Sequence, residues 1–134
     1  MKRILIGLAG AACLAGCSSG FDRPVQSVTA QTGSDGVQHV RVETHSFWFE
    51  PNRIVVTRGV PVELTIKNGA FFVPHDLSCE AKDAGIDVDS DVGMFGGSRK
   101  VRFTATKAGE YPFHCDKDGH AKKGMTGTLV VVEP

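Results

Sequence analysis

Residues 111–132 read YPFHCDKDGHAKKGMTGTLVVV and carry three metal-binding side chains on one short segment. Four residues separate Cys115 from His120, and four more separate His120 from Met125. A thiolate, an imidazole and a thioether suit copper, because sulfur favours Cu(I) and imidazole binds both oxidation states. Tetrahedral zinc sites seldom include a thioether, so Met125 counts against zinc. The segment therefore predicts a copper-binding loop between two strands.

A fourth ligand is expected from His75, which lies forty residues before Cys115 in the segment VPHDL, residues 73–77. Two His, one Cys and a distant axial Met form the ligand set of a blue-copper electron-transfer site. Alone, such a histidine, thiol or thioether is more often structural, and Cys in particular is usually an inert buried residue. Together they predict one copper ion, cycling between Cu(I) and Cu(II), with the ligands His75, Cys115, His120 and Met125.

The rest of the chain has the periodicity of an all-β domain. Apolar residues alternate with polar ones in five segments, 39–44, 53–57, 62–67, 100–106 and 128–132, and turn-forming residues separate these segments. Short strands at this spacing are typical of an antiparallel sandwich or barrel. Residues 80–98 are rich in Asp and Gly, so they are expected to form a long surface excursion with one helical turn.

Three segments resemble the cupredoxins, the small blue-copper proteins that include plastocyanin and azurin. FWFEPNRIVVTRGVPVELTIKN, residues 47–68, resembles the opening strands, and PHD at 74–76 resembles the first copper histidine. KAGEYPFHC at 107–115, followed by GH and GMTGTLVV, resembles the closing ligand loop. The resemblance implies a Greek-key β-sandwich or barrel of about seven to eight strands, a type 1 copper and one-electron transfer. Asp76 stands where many members have Asn, which leaves open the side-chain bond that ties the ligand loops together.

The N-terminus predicts export and lipid attachment. Residues 1–16 combine Lys2 and Arg3 with an apolar run, as in a signal peptide. The run Leu14-Ala15-Gly16-Cys17 resembles the lipobox of bacterial lipoproteins, which implies that Cys17 is lipidated; an ordinary signal peptide cut nearby is the alternative. Residues 17–37 are then a flexible tether and 38–134 the domain, held in the bacterial cell envelope on the periplasmic or extracytoplasmic side. The lipid would be its one contact with the membrane.

Composition excludes several classes of function. With 134 residues the chain has room for one ordinary domain. Its 15 basic and 15 acidic residues balance, and it has no basic stripe for a phosphate backbone, so nucleic-acid binding is not expected. After residue 16 no apolar run approaches the roughly 20 residues that a membrane-spanning helix needs. We expect a monomeric domain.

Two residues near the predicted ligands need separate interpretations. If the chain is extended after His75, Cys79 lies about 13 Å along the strand. This is beyond the ~7 Å that a disulfide to Cys115 allows, so a buried, unpaired thiol is expected. His114 precedes the copper Cys as in multicopper oxidases and copper nitrite reductases, where such a His binds a second copper. We expect it instead on the strand face opposite Cys115, and His39 and His45 as surface or satisfied strand residues.

The leading functional hypothesis is an electron carrier and not an enzyme, with transient redox proteins as partners. A copper carrier or metallochaperone that delivers copper to an envelope oxidase is the alternative. An enzyme, which would depend on His114, ranks third. An apolar docking patch with a basic rim is expected around the His120 end of the site, formed by Phe71, Phe72, Val73, Pro74, Ala121, Lys122, Lys123 and Gly124.

Overall fold

The computed structural model describes residues 23–134, so the predicted leader and Cys17 lie outside the described residues. Residues 23–134 form eleven strands and two short 3₁₀ helices, at Lys82–Ala84 and Ala121–Lys123. The strands are β1 (Ser27–Thr29), β2 (Gln31–Thr32), β3 (Gln38–His45), β4 (Trp48–Glu50), β5 (Arg53–Thr57), β6 (Val62–Asn68), β7 (His75–Ala81), β8 (Ile86–Gly93), β9 (Ser98–Phe103), β10 (Gly109–His114) and β11 (Thr126–Val132).

The strands make two sheets that pack as a sandwich. One sheet has the order β1-β5-β11-β10-β7-β8, and the other has the order β2-β3-β6-β9, with β4 paired to β3. Pairing is parallel between β1 and β5, β5 and β11, and β3 and β6, and antiparallel elsewhere. Eight strands have five or more residues. The predicted all-β sandwich of about seven to eight strands is confirmed, and the five predicted strands correspond to β3, β5, β6, β9 and β11.

The core fixes the two strands that carry the predicted ligands. Phe49 of β4 and Phe113 of β10 come from opposite sheets and meet edge to face, with ring centroids 5.2 Å apart. Both are fully buried, as is Leu77 of β7. Because neighbouring residues of a strand point to opposite faces, burial of Phe113 orients β10 just before Cys115.

The prediction for residues 80–98 was wrong in its main part. β7 continues to Ala81, the expected helical turn is the 3₁₀ helix after it, and β8 then pairs antiparallel with β7 along its length. In β8 the apolar Ile86, Val88 and Val92 are buried while the aspartates between them are exposed. The acidic composition hid a regular strand alternation, since Asp is uncommon in strands but acceptable on a solvent face.

Strand pairing also begins inside the segment predicted as a tether. β1 and β2 lie within residues 17–37, and they pair with β5 and β3. All five of their residues are exposed, so they show no alternation that a sequence pattern could reveal. Within residues 23–134, no helix combines the length and apolar character needed to cross a bilayer.

Candidate metal centre

Three of the four predicted ligands meet in the structure. One donor atom from each of His75, Cys115 and His120 lies within 4.8 Å of the other two. The Cys115 Sγ is 3.9 Å from Nδ1 of His75 and 3.4 Å from Nδ1 of His120. His75 and Cys115 are buried, and His120 is 9% exposed. The cluster is thus a small, nearly closed site with one sulfur and two nitrogen donors.

The topology explains why residues forty positions apart come together. His75 begins β7, and Cys115 follows β10 directly. β7 and β10 are hydrogen-bonded neighbours, with His114 opposite Ser78. The same end of the sheet therefore presents both side chains.

The segment between Cys115 and β11 brings the other two predicted ligands to that end. The Cys115 amide donates to the Met125 carbonyl at 3.2 Å, and the Met125 amide donates to the His120 carbonyl at 3.1 Å. Gly119 and Gly124 have φ of 74° and 94°, a region that favours glycine, and so permit the turns before His120 and Met125. The Met125 side chain is completely buried.

Burial controls the protonation of the three clustered residues. It is the main cause that lowers the pKa of His75 to about 4, with a smaller contribution from the charge of His120. Burial, followed by the charge of Lys123, lowers the pKa of His120 as well. Both imidazoles are thus neutral near pH 7, the form that binds metals. Burial also raises the pKa of Cys115, so a metal that binds there displaces the thiol proton.

The donor set fits copper. Two imidazoles and one thiolate, with a thioether on the same loop, match the ligands of a blue-copper site. The Nδ1 atoms face the sulfur, whereas Nε2 of His75 is buried without a hydrogen-bond partner among the described residues. An ion held by Nδ1 leaves the ring proton on this Nε2 atom, which fixes the tautomer.

Asp76 ties the two ligand segments together, which the sequence left open. Its Oδ1 accepts a hydrogen bond from the amide of Asp116 at 2.6 Å. Its other oxygen is 3.7 Å from Nζ of Lys117, which pairs more closely with Asp91 at 2.7 Å. A carboxylate therefore forms the bond between the residues that follow His75 and Cys115.

Phe47 covers His120, and nothing in the strand pattern indicated this contact. The two rings meet edge to face with centroids 4.9 Å apart, and Nζ of Lys123 lies 4.0 Å from the centroid of Phe47. Lys123 belongs to the 3₁₀ helix that follows His120, together with Ala121 and Lys122.

The aromatic residues of the predicted docking patch form a cluster of their own. Phe71 and Phe72 are 54% and 77% exposed, and each packs against the other and against Phe95. Phe95 was not predicted, and its only signal is an apolar pair, Met94 and Phe95, in a Gly-rich segment. Val73 and Pro74 connect Phe72 to the start of β7.

Cys79 and His114 lie where the sequence placed them. Cys79 is a free, buried thiol, as expected, and burial raises its pKa to about 11. His114 is half-exposed and bonds to Asp116 at 2.7 Å, and it is not part of the metal-binding cluster found among residues 23–134.

The other two histidines have acidic neighbours. His39 lies 2.8 Å from an oxygen of Asp35. His45 stacks on Trp48 with ring centroids 4.1 Å apart and lies 3.3 Å from an oxygen of Glu50. His39 is thus a paired residue at the surface, as expected, whereas Nε2 of His45 is buried and makes no hydrogen bond among the described residues, so His45 is not the satisfied strand residue that was expected.

Several solved structures share this fold. The metal-binding domain of the Cu(I)-exporting P-type ATPase of Streptococcus pneumoniae, solved with Cu(I), is 22% identical; the match covers 83% of this chain and 100% of that chain, with a TM-score of 0.62. Dithionite-reduced auracyanin from Roseiflexus castenholzii is 22% identical, with 77% and 98% covered and a TM-score of 0.61. Rusticyanin, in a study of two single-residue variants, is 25% identical, with 82% and 84% covered and a TM-score of 0.59.

Comparison of sequences identifies the family directly. No curated protein sequence matches the chain. The sequence profile of the cupredoxin-like domain matches residues 8–131, which is most of this chain. The chain belongs to the cupredoxin-like domain family.

Proposed function

We propose that this protein is a one-electron carrier that holds a single copper ion through His75, Cys115, His120 and Met125. The observation that carries the proposal is the convergence of three donor atoms within 4.8 Å in a buried site. The fully buried thioether of Met125, on the same loop, adds the fourth donor type of a blue-copper site. Auracyanin, which has the same fold, is described as a blue copper protein.

The chain's own residues keep this site rigid. When bound, copper supplies a one-electron couple between Cu(I) and Cu(II). His75 and Cys115 are held by neighbouring strands, and the bond from Asp116 to Asp76 fixes the residues that follow them. The two backbone bonds of Met125 fix the loop between Cys115 and β11. Ligands held in this way move little when the charge of the site changes, so the cost of reorganisation is small.

Absorption spectra of the copper-loaded protein test the proposal. A strong visible thiolate-to-copper band should appear on oxidation and disappear reversibly on reduction. Cys115→Ser should abolish the band, because it removes the thiolate. Cys79→Ser is the matched control: it alters the other buried thiol, lies four residues from His75, and should keep the colour. A wild-type protein that binds copper without this band would refute the assignment.

Copper delivery is the second candidate, and its support is the similarity to the metal-binding domain of a Cu(I)-exporting ATPase. A carrier must release its metal readily, whereas His75 and Cys115 are buried. We therefore rank electron transfer first. Competition with a Cu(I) chelator distinguishes the two: release within seconds favours delivery, and release over hours favours electron transfer.

We assign His114 no second copper, so catalysis is not part of the proposal. The support is its bond to Asp116, which already occupies Nε2. Metal analysis should give one copper per chain in the wild type and in His114→Ala. Two coppers in the wild type and one in the variant would instead favour an enzyme.

We also propose that the domain is anchored in the cell envelope through a lipid on Cys17. The support is the run Leu14-Ala15-Gly16-Cys17. Fractionation of cells should find the full chain with membranes, and Cys17→Ala should move it to the soluble fraction. Recovery of both proteins in the soluble fraction would contradict lipid attachment.

A further inference from the structure

A pocket of about 260 Å³ opens beside the proposed copper site, on the side of His120. Arg23, Ser46, Phe47 and Lys123 line it. Phe47 connects the pocket to the proposed copper site, because its ring and that of His120 meet edge to face. The pocket is therefore one aromatic ring away from a proposed ligand.

The backbone at Phe47 is unusual, and its ring contacts His120. Its φ is 69°, a left-handed conformation that is rare for a bulky residue. The turn that joins β3 to β4 holds it there, between the paired His45 and Trp48. Such conformations persist where the surrounding structure determines them, often at functional sites.

Two cations line the pocket, and no carboxylate of the described part of the chain pairs with either of them. Nζ of Lys123 lies 4.0 Å from the Phe47 ring centroid, and the Arg23 guanidinium lies 4.9 Å from that of Trp48. Within residues 23–134, neither cation has a carboxylate oxygen within 4.0 Å, whereas Lys100 and Arg102 both pair with Glu63. Two such cations above aromatic rings attract an anion that can enter an otherwise apolar cleft.

We propose that this pocket receives a carboxylate side chain of an acidic redox protein, which docks there to exchange an electron through Phe47 and His120. The inference rests on the proposed function of the copper site. An acidic side chain complements Arg23 and Lys123, and contact at Phe47 places the partner's surface next to His120. Small contacts with a polar, charged rim suit transient redox complexes.

Stopped-flow oxidation of the reduced, copper-loaded full chain tests the pocket with two small oxidants of opposite charge. One electron leaves Cu(I), giving Cu(II), and reduces hexacyanoferrate(III) to hexacyanoferrate(II) or tris(phenanthroline)cobalt(III) to the cobalt(II) complex. The variants are Arg23→Gln, Lys123→Gln and the double variant. Lys82→Gln is the control, because Lys82 is an exposed lysine of the same charge that follows β7, at the opposite end of that strand from His75 and on the order of 20 Å away.

We expect the rate with hexacyanoferrate(III) to fall about threefold in each single variant and about tenfold in the double variant, because the local attraction is lost. At 0.1 M ionic strength charges are screened beyond about 10 Å, so Lys82→Gln should change the rate by less than about 1.5-fold. The rate with the cationic cobalt complex should stay constant or rise. A tetraglutamate peptide should slow the wild type with hexacyanoferrate(III) but not the double variant.

Each contrary result has a distinct meaning. Equal rates with hexacyanoferrate(III) in all four variants and the wild type would refute docking at this pocket. The proposed function of the copper site would remain intact. A wild type that shows no reversible copper colour would overturn both. Protection by phosphatidylglycerol vesicles but not by tetraglutamate would identify a lipid headgroup as the occupant and refute docking of an acidic protein.

Discussion

The amide of Asp116 donates a hydrogen bond of 2.6 Å to the carboxylate of Asp76, and this bond joins the residue after Cys115 to the residue after His75. It connects two segments forty residues apart in the chain at the point where both reach the proposed metal. A neutral amide side chain could accept the same bond, so Asp76 differs from such a residue in its negative charge and not in this contact. The charge and the bond can therefore be separated by mutation.

Asp76→Asn should keep the bond and remove the charge. Loss of a nearby negative charge disfavours Cu(II), so the reduction potential should rise by on the order of 1 kcal/mol, or about 40 mV for one electron. Voltammetry measures this shift. Asp89→Asn is the control, because Asp89 is an exposed acidic residue of β8 that lies opposite Ser78. Asp76→Ala should also lose about 1–3 kcal/mol of stability, since the Asp116 amide is left without its acceptor.

An unchanged potential in Asp76→Asn, with the copper spectrum intact, would show that this carboxylate has no electrostatic effect on the site. Equal stability of the Asn and Ala variants would show that the bond itself contributes nothing.

Glu63 should make the domain sensitive to acid. Its side chain is nearly buried and binds Lys100 at 3.0 Å and Arg102 at 2.7 Å, which lower the pKa of Glu63 to about 2. The pKa of this carboxyl is near 4.5 in the unfolded chain, so the ionised carboxylate stabilises the fold fully when the pH is above 4.5. This contribution is lost as the pH falls towards the folded-state pKa of about 2. Between pH 6 and pH 3, the free energy of unfolding of the wild-type apo-protein should therefore fall by more than that of the Glu63→Gln apo-protein.

Urea unfolding of both proteins at the two pH values checks this expectation. Glu110→Gln serves as the control, because its bond to Arg53 is an exposed ion pair of the kind that contributes little. Parallel losses in the wild type and Glu63→Gln would contradict the stabilising role of this network.

The sequence predicted the parts of the fold that follow from regular alternation. The strands β5 and β6 and the clustered residues Cys115 and His120 could be located because local spacing reflects local geometry. β8 was missed because its aspartates obscure an alternation that the buried Ile86 and Val88 make clear. The prediction of a surface excursion relied on the Asp and Gly content of this segment and not on its periodicity.

Contacts between distant segments were beyond the sequence. Phe47 meets His120 across 73 residues of chain, and no local pattern encodes that approach. The identity of Asp76 was visible, but its bond to Asp116 depends on the pairing of β7 with β10. Long-range register, rather than residue type, was the missing information.

Gly127 is required by the packing of Phe113. A Cβ atom built at Gly127 would overlap the Phe113 ring and approach the carbonyl oxygen of Asn52 to 2.7 Å. Gly127→Ala should destabilise the apo-protein by about 1–3 kcal/mol, because the buried ring has no room to move. Thermal unfolding measures this loss.

Phe113→Leu provides the control for this clash. The smaller side chain leaves a cavity and should be destabilising alone, but the double variant should be more stable than the sum of the two losses predicts. Strict additivity would show that Gly127 is needed for a reason other than the Phe113 ring.

Met125→Leu separates packing from metal chemistry at the fourth proposed ligand. Leu and Met have similar volumes, so the apo-protein should lose less than about 1.5 kcal/mol of stability at this fully buried position. Copper should stay bound, because His75, Cys115 and His120 remain. The reduction potential should rise, since Cu(II) loses a weak axial donor. Voltammetry and visible spectra of the loaded protein give the measurements.

Leu129→Met is the matched exchange in the opposite direction, in the buried part of β11 four residues away. This exchange changes a buried side chain that is not a proposed ligand, so the reduction potential of the variant should equal that of the wild type. If both variants shifted the potential equally, the effect would come from repacking of β11. If Met125→Leu left the potential unchanged, the thioether would lie too far from the metal to act as its axial donor, and the site would have three protein ligands.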